Sequence, residues 1–450
     1  MEPLCGARSC AANLTKSRQN LLYLDKKRYP MDLISRLYIV PAVLLALLLP
    51  AGSAHAQKAL AGAWSGTLSD GGMSLTVVFN FSPDDSGALT CTMDSPDQGA
   101  RGIVAEVRSA TDYSVEVAVP SLGVLFKGVL FRDSLTGTFS QFGRDFPLAL
   151  SRGVKEPARP QTPQPPFPYS SEDVVFTNAG AGATLAGTLV LPDGAGHDVP
   201  VVLMVTGSGL ENRDEEVFGH RPFLVIADRL ARRGIATLRY DDRSFGASEG
   251  GDVAGATTLD FRDDAMAGLE FLRSRGFGSV GILGHSEGGS IAFMLGASGD
   301  ADFVVSLAGI GVKGDEALTA QANRVMELRG MERRYSVGEY RSEVMLGGNA
   351  WLRWFVNYDP VPDIKACSCP VFAVNGERDC QVVHPLNLES IRANLPEGGA
   401  NLVRSYPALN HLFQHCRTGD TGEYRSIEET FSDEVIEDMA SWILDVVKKK

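Results

Sequence analysis

The segment Gly284-His285-Ser286-Glu287-Gly288 carries the clearest chemistry in the chain. A serine in the pattern G-x-S-x-G can sit on a sharp strand-to-helix turn that presents its hydroxyl to a substrate. The glycines serve because side chains there would meet neighbouring backbone. Ser286 is therefore the candidate nucleophile. A second match, Gly246-Ala247-Ser248-Glu249-Gly250, must be weighed against it. Context separates the two. Gly284 follows the apolar run Val280–Leu283 at once, and a helical apolar pattern follows Gly289. Gly246 stands six residues beyond the run that ends at Tyr240, and no helix follows Ser248 promptly.

A serine nucleophile needs a base, and the base needs an orienting carboxylate. His411 lies five residues past the apolar run Leu402–Tyr406 and is the candidate base, with His415 as the alternative. Asp379 follows the run Val371–Val374 on the turn Asn375-Gly376-Glu377-Arg378 and is the candidate acid, with Glu377 as the alternative. His384 follows Asp379 too closely to be the separate third member. His411 and His415 also have the spacing of a helical metal pair, but no third ligand accompanies them, so neither metal nor organic cofactor is expected. The oxyanion needs two backbone donors. One is the N–H of Glu287. The other comes from Thr206-Gly207-Ser208-Gly209-Leu210, at either Ser208 or Gly209.

These residues need a scaffold that brings strand ends together. From residue 170 onward, short apolar runs alternate with helical patterns. Val174–Phe176 and Leu185–Leu191 read as an opening antiparallel pair, and Val199–Val205 as a strand buried on both faces. Phe223, Ile226, Ala227, Leu230 and Ala231 fall at helical spacing, and so do Phe261, Ala265, Leu269 and Leu272. Ile427, Phe431, Val435, Met439, Trp442 and Ile443 suggest a closing helix. The expected class is α/β, a mostly parallel sheet with helices on both faces and its site at the strand ends. Some 60 residues separate Leu307 from Val371, too many for a plain connection. This stretch reads as a helical lid, about 311–365, in which Trp351, Trp354, Phe355 and Tyr358 either line an acyl pocket or pack the lid.

Before residue 156 the periodicity is two. Met73, Leu75, Val77, Phe79 and Phe81 alternate with polar residues, as do Tyr113, Val115, Val117 and Val119, and Phe146, Leu148 and Leu150. About seven short strands, forming a small barrel or sandwich, are expected over 57–155. Six prolines within 157–168 suggest a stiff linker over 156–169, with the catalytic domain at 170–450.

The first 56 residues read as an extension and an export signal. Arg36 precedes an apolar run from Leu37 to Leu49, which is followed by Ala54-His55-Ala56. Met31 is the expected true start, and a secreted or periplasmic location is expected, with no stable membrane span after cleavage. Five of the seven cysteines follow the signal, and Cys380 is expected to pair with Cys416 because both neighbour candidate site residues. The net charge of −13 offers no electrostatic footprint for nucleic acid.

Together, Val205–Gly209 with Asn212-Arg213-Asp214-Glu215, Tyr240–Arg243 with Phe245–Ser248, Gly284–Gly289, Asn375–Asp379 and Leu409–His411 resemble exported bacterial α/β-hydrolases of the carboxylesterase and serine-aminopeptidase-like type. The resemblance spans about 170–450 and implies the α/β-hydrolase fold, with Ser286, Asp379 and His411 as triad. It departs at Ser244, where the family usually carries glycine. Arg213, Asp214, Asp242 and Arg243 are read as loop-bracing ion pairs. The expected activity is hydrolysis of esters of small acyl groups through an acyl-enzyme, on a small-molecule ester. A peptidase acting on short peptides is the alternative, and a non-catalytic surface binding protein is the second.

Overall fold

The computed structural model describes residues 59–70, 73–96, 100–154, 158–398 and 400–449. The export signal and the question of the start lie outside these residues. The chain divides into two compact units, 1–155 and 156–450.

The first unit is a closed barrel of eight antiparallel strands: β1 (Gly62–Asp70), β2 (Met73–Pro83), β3 (Leu89–Ser95), β4 (Ala100–Ala110), β5 (Ser114–Val119), β6 (Val124–Phe131), β7 (Ser134–Gln141) and β8 (Arg144–Arg152). Closure through β1 and β8, with Ser65 opposite Ser151, leaves no open sheet edge. Val77, Phe79 and Phe81 from β2 meet Val115, Val117 and Val119 from β5 and Leu148 and Leu150 from β8 in one core with Trp64. Two expectations change. The strands number eight because β1, with its buried Trp64, closes the ring. Tyr113 precedes β5 and is 75% exposed, so it is outside the core pattern.

The second unit holds an eight-stranded sheet in the order β16-β15-β14-β13-β11-β12-β10-β9. Its strands are β9 (Tyr169–Asn178), β10 (Ala183–Pro192), β11 (Val201–Val205), β12 (Ala236–Tyr240), β13 (Val280–His285), β14 (Val304–Leu307), β15 (Val371–Gly376) and β16 (Leu402–Tyr406). β9, β10 and β12 pair antiparallel, and the neighbours from β12 through β16 run parallel. The helices are α1 (Pro222–Arg232), α2 (Thr258–Ser274), α3 (Glu287–Ser298), α4 (Gly314–Leu328), α5 (Val337–Gly347), α6 (Ala350–Phe355), α7 (Val361–Ala366), α8 (His384–Asn394) and α9 (Asp433–Lys448). Successive residues of a strand point to opposite faces, and β11 uses both. Val202 and Met204 join the core beneath α1 and α9, while Val201, Leu203 and Val205 join the one beneath α2, α3 and α8. Burial on both faces is why this strand reads as one continuous apolar run.

The proline-rich segment is not a free spacer. Arg159 donates to the carbonyls of Phe218, Arg425 and Ile427. Gln161 donates to Phe431 O and accepts from the N–H groups of Thr430 and Phe431. These polar anchors make 158–168 part of the second unit, which proline content alone does not reveal. The closing helix also begins later than its apolar spacing suggests. Phe431 lies before it and stacks on Phe413 at 5.2 Å. Four helices, α4 to α7, fill the stretch between β14 and β15.

Candidate active site

β13 delivers Ser286 onto a tight turn. Its φ of 54° and ψ of −113° lie in backbone space that L-residues rarely occupy, and α3 begins at the next residue. The turn survives because its glycines admit backbone where side chains would stand. A Cβ on Gly284 would come within 1.8 Å of Gly288 O, and one on Gly288 within 2.2 Å of Val205 O. Ser286 N–H donates to Leu307 O at 2.8 Å, which ties the turn to the neighbouring strand end.

Asp379 and His411 meet at the ends of β15 and β16. His411 Nδ1 lies 2.7 Å from Asp379 Oδ2. The other carboxylate oxygen accepts the N–H groups of Gln381 and Val382 at 2.7 and 2.8 Å. Those two bonds fix the carboxylate plane, and Asp379 is fully buried. A carboxylate only accepts, so Nδ1 carries a proton, and in a neutral imidazole of this tautomer Nε2 offers its lone pair. The loop bearing His411 is shaped by Asn410, whose Oδ1 accepts from Leu412 and Gln414 N–H.

Ser286, His411, Ser208 and Glu287 line one cavity of about 790 Å³. Asp379 stands behind His411, and Gly209 is not part of the wall. The loop after β11 runs beside Ser286: a Cβ on Gly207 would stand 3.4 Å from Ser286 Cβ. Leu318, Val325, Met326, Trp351 and Phe355, all between β14 and β15, form much of the apolar wall.

The alternatives lie elsewhere. Ser248 Oγ donates to Asp241 O and accepts from Ala186 N–H, so the decoy serine braces its own loop. His415 is exposed and paired with Glu429. Glu377 accepts from Ser405 on the surface. Cys380 and Cys416 are free thiols, which corrects the expected disulfide. Cys416 Sγ is turned to Ala408 O at 3.3 Å, and burial pushes the Cys380 thiol up to about 11. The bracing role of the charged loops is also redistributed. Arg213 pairs with Asp241, Arg239 with Asp214, and Arg243 with Asp264. Among the described residues Asp242 pairs with no basic side chain and instead accepts from Thr206 Oγ1 and Glu211 N–H. Ser244 adopts a φ of 54°, the conformation a glycine would favour.

Sequence reasoning missed His285 and Glu215. His285 Nδ1 lies 2.7 Å from Glu215 Oε1, and its Nε2 donates to His411 O at 3.0 Å. Gly207 N–H donates to the same Glu215 oxygen at 3.0 Å. Burial opposes a charged imidazole at His285. The Glu215 carboxylate and the hydrogen bonds to Glu215 and His411 O outweigh it, and hold the group up at about 9. A buried histidine inside the motif was the available signal. Its partner, 70 residues away, was not visible. Burial first, then the Glu215 charge, pushes Glu211 up to about 8. Burial likewise pushes Asp242 to about 7. Among the described residues no group of three or more His, Cys, Asp or Glu is placed to hold a metal.

A family model described as serine aminopeptidase, S33, matches residues 221–329. The chain is 27% identical to the esterase EstD of Thermotoga maritima over 296 residues, 62% of this chain and 68% of that protein. Among solved structures, Est1E of Butyrivibrio proteoclasticus with ferulic acid aligns at a TM-score of 0.44 and 16% identity, covering 61% of this chain and 99% of that one. An esterase of Pyrococcus furiosus, Pf2001, aligns at 0.42 and 16%, covering 66% and 99%. Over part of its length the chain is thus similar to serine-aminopeptidase-type and esterase α/β hydrolases, and an all-β barrel unit precedes that region.

Proposed function

We propose that the protein hydrolyses carboxylic esters through an acyl-enzyme on Ser286, with His411 as base and Asp379 as its orienting acid. The observation that carries this reading is the fixed Asp379–His411 pair, at 2.7 Å, behind a cavity that Ser286 and His411 share. Ser286 Oγ attacks the carbonyl carbon while His411 Nε2 takes its proton. The tetrahedral oxyanion is held by the N–H of Glu287, at the head of α3, and by that of Ser208. Gly207 N–H is committed to Glu215, and Gly209 stands off the cavity wall, which favours Ser208. Collapse expels the alcohol with the proton from His411. Water then attacks the acyl-enzyme by the same path.

The helices from α4 to α6 act as a lid whose apolar side chains receive the acyl group. The expected substrates carry small acyl groups, and the kinship with an esterase supports ester over amide. A peptidase reading keeps one observation in its favour: Glu211, Glu215 and Glu287 line the cavity and would suit a substrate amine. Export rests on the residues before 57, and fractionation of expressing cells tests it.

The deciding experiment treats the protein and Ser286→Ala with a fluorophosphonate probe. Labelling that survives the substitution sinks the assignment. Rates on p-nitrophenyl acetate and butyrate against aminoacyl anilides then separate esterase from peptidase.

A further inference from the structure

We infer that the Glu287 side chain is a positioning group that ties the lid to the nucleophile turn, so that the site is fully assembled only with Trp351 seated on it. The inference rests on the serine-hydrolase reading. It concerns the carboxylate of Glu287, whereas the oxyanion role belongs to that residue's backbone N–H.

Three elements converge on this carboxylate. Oε1 accepts from Thr258 Oγ1, the first residue of α2, at 2.7 Å. The same oxygen accepts from Trp351 Nε1, on α6, at 2.7 Å. The Ser208 side chain, on the loop after β11 and in the same cavity wall, also favours the charged form. Glu287 itself is 4% exposed.

A buried carboxylate is stable only when donors replace its lost water. Burial pushes the Glu287 carboxyl up, and Thr258, Trp351 and Ser208 oppose that push. The Trp351 donor is rigidly aimed, because its ring stacks on Phe355 with centroids 5.1 Å apart and planes 25° apart. An indole N–H can only donate, so this bond cannot be exchanged for another polarity. Lifting α6 would strip one donor from a buried carboxyl at the head of α3. Trp351, Ser208, Glu287 and Ser286 all face the same cavity. The lid that covers the substrate therefore also steadies the turn whose Glu287 N–H must stabilise its transition state.

The test is Trp351→Phe, which keeps an aromatic ring on α6 and removes the N–H donor together with part of the indole. Trp354→Phe is the control, since Trp354 stacks on Tyr358 and does not line the cavity. With p-nitrophenyl butyrate, Trp351→Phe is expected to lower kcat about 10-fold with KM within about 2-fold, as for a misplaced catalytic group. Fluorophosphonate labelling should slow in parallel, and the control should stay within about 2-fold of wild type on both readouts. Glu287→Gln keeps an acceptor oxygen and should lose less than Glu287→Ala. Wild-type kcat in Trp351→Phe, or equal losses in Trp351→Phe and Trp354→Phe, would overturn the inference. A wild-type protein that takes no fluorophosphonate would instead sink the hydrolase reading beneath it.

Discussion

Glu215 and His285 form a buried pair, with 2.7 Å between Oε1 and Nδ1, that joins three loops of the site. Glu215 receives the Gly207 N–H of the oxyanion loop, and His285 donates to the carbonyl of His411. The imidazole rings of His285 and His411 lie 4.7 Å apart. One buried pair therefore joins the Ser286 turn, the loop after β11 and the loop bearing His411.

This pair has a pH signature. His285 is held at about 9 against an ordinary value of 6.5, so its charged form is favoured by folding. The stability it contributes is fully present below about 6.5 and is lost as pH rises through about 9. Thermal melts of wild type should fall between about pH 6.5 and 9 more steeply than those of Glu215→Gln, which lacks the countercharge. Parallel curves for the two proteins would show that the pair is not ionised.

Asp379→Asn should leave the fold intact and remove most activity. The asparagine oxygen still accepts from Gln381 and Val382 N–H, while its NH₂ faces His411 Nδ1. That reverses the tautomer and protonates Nε2, the atom that must receive the serine proton. A loss on the order of 10³–10⁴ in kcat with a near-normal melting temperature is expected. Retained kcat would shift the acid role away from Asp379.

Ser248→Ala separates the decoy from the nucleophile. Ser248 makes two hydrogen bonds within its own loop, to Asp241 O and from Ala186 N–H. Their loss should cost about 1–2 kcal/mol of stability. Fluorophosphonate labelling should persist, and its disappearance in a folded variant would contradict the assignment to Ser286.

Gly284→Ala tests the turn itself. An added methyl meets Gly288 O at 1.8 Å and Gly288 C at 2.0 Å, both backbone atoms that cannot rotate away. The expected outcome is loss of labelling together with a melting temperature several degrees lower. A variant with wild-type labelling would mean that the turn can open without harm.

The scaffold braces should be costly to break. Arg243 and Asp264 are each 1% exposed and pair at 2.7 Å beside β12 and α2. Asp264→Ala leaves a buried guanidinium without its partner and should destabilise by roughly 3–5 kcal/mol, read from chemical denaturation.

Local pattern alone determined much of this protein. Period-two alternation marked the barrel strands, and continuous apolar runs marked β11, β13 and β15, because side-chain direction follows backbone geometry within a few residues. The candidates Ser286, Asp379 and His411 followed from strand ends, since a parallel sheet delivers its loops to one edge. Tertiary structure alone decided the rest. Glu215 and His285, or Glu287 and Trp351, are separated by 70 and 64 residues, and nothing local records that they touch. Arg159 and Gln161 show the same limit from the other side. Their proline-rich surroundings read as a spacer, yet partners more than 250 residues away claim them. Hydrogen-bond partners of buried polar groups are chosen by the finished fold, where each donor or acceptor taken from water must find a replacement.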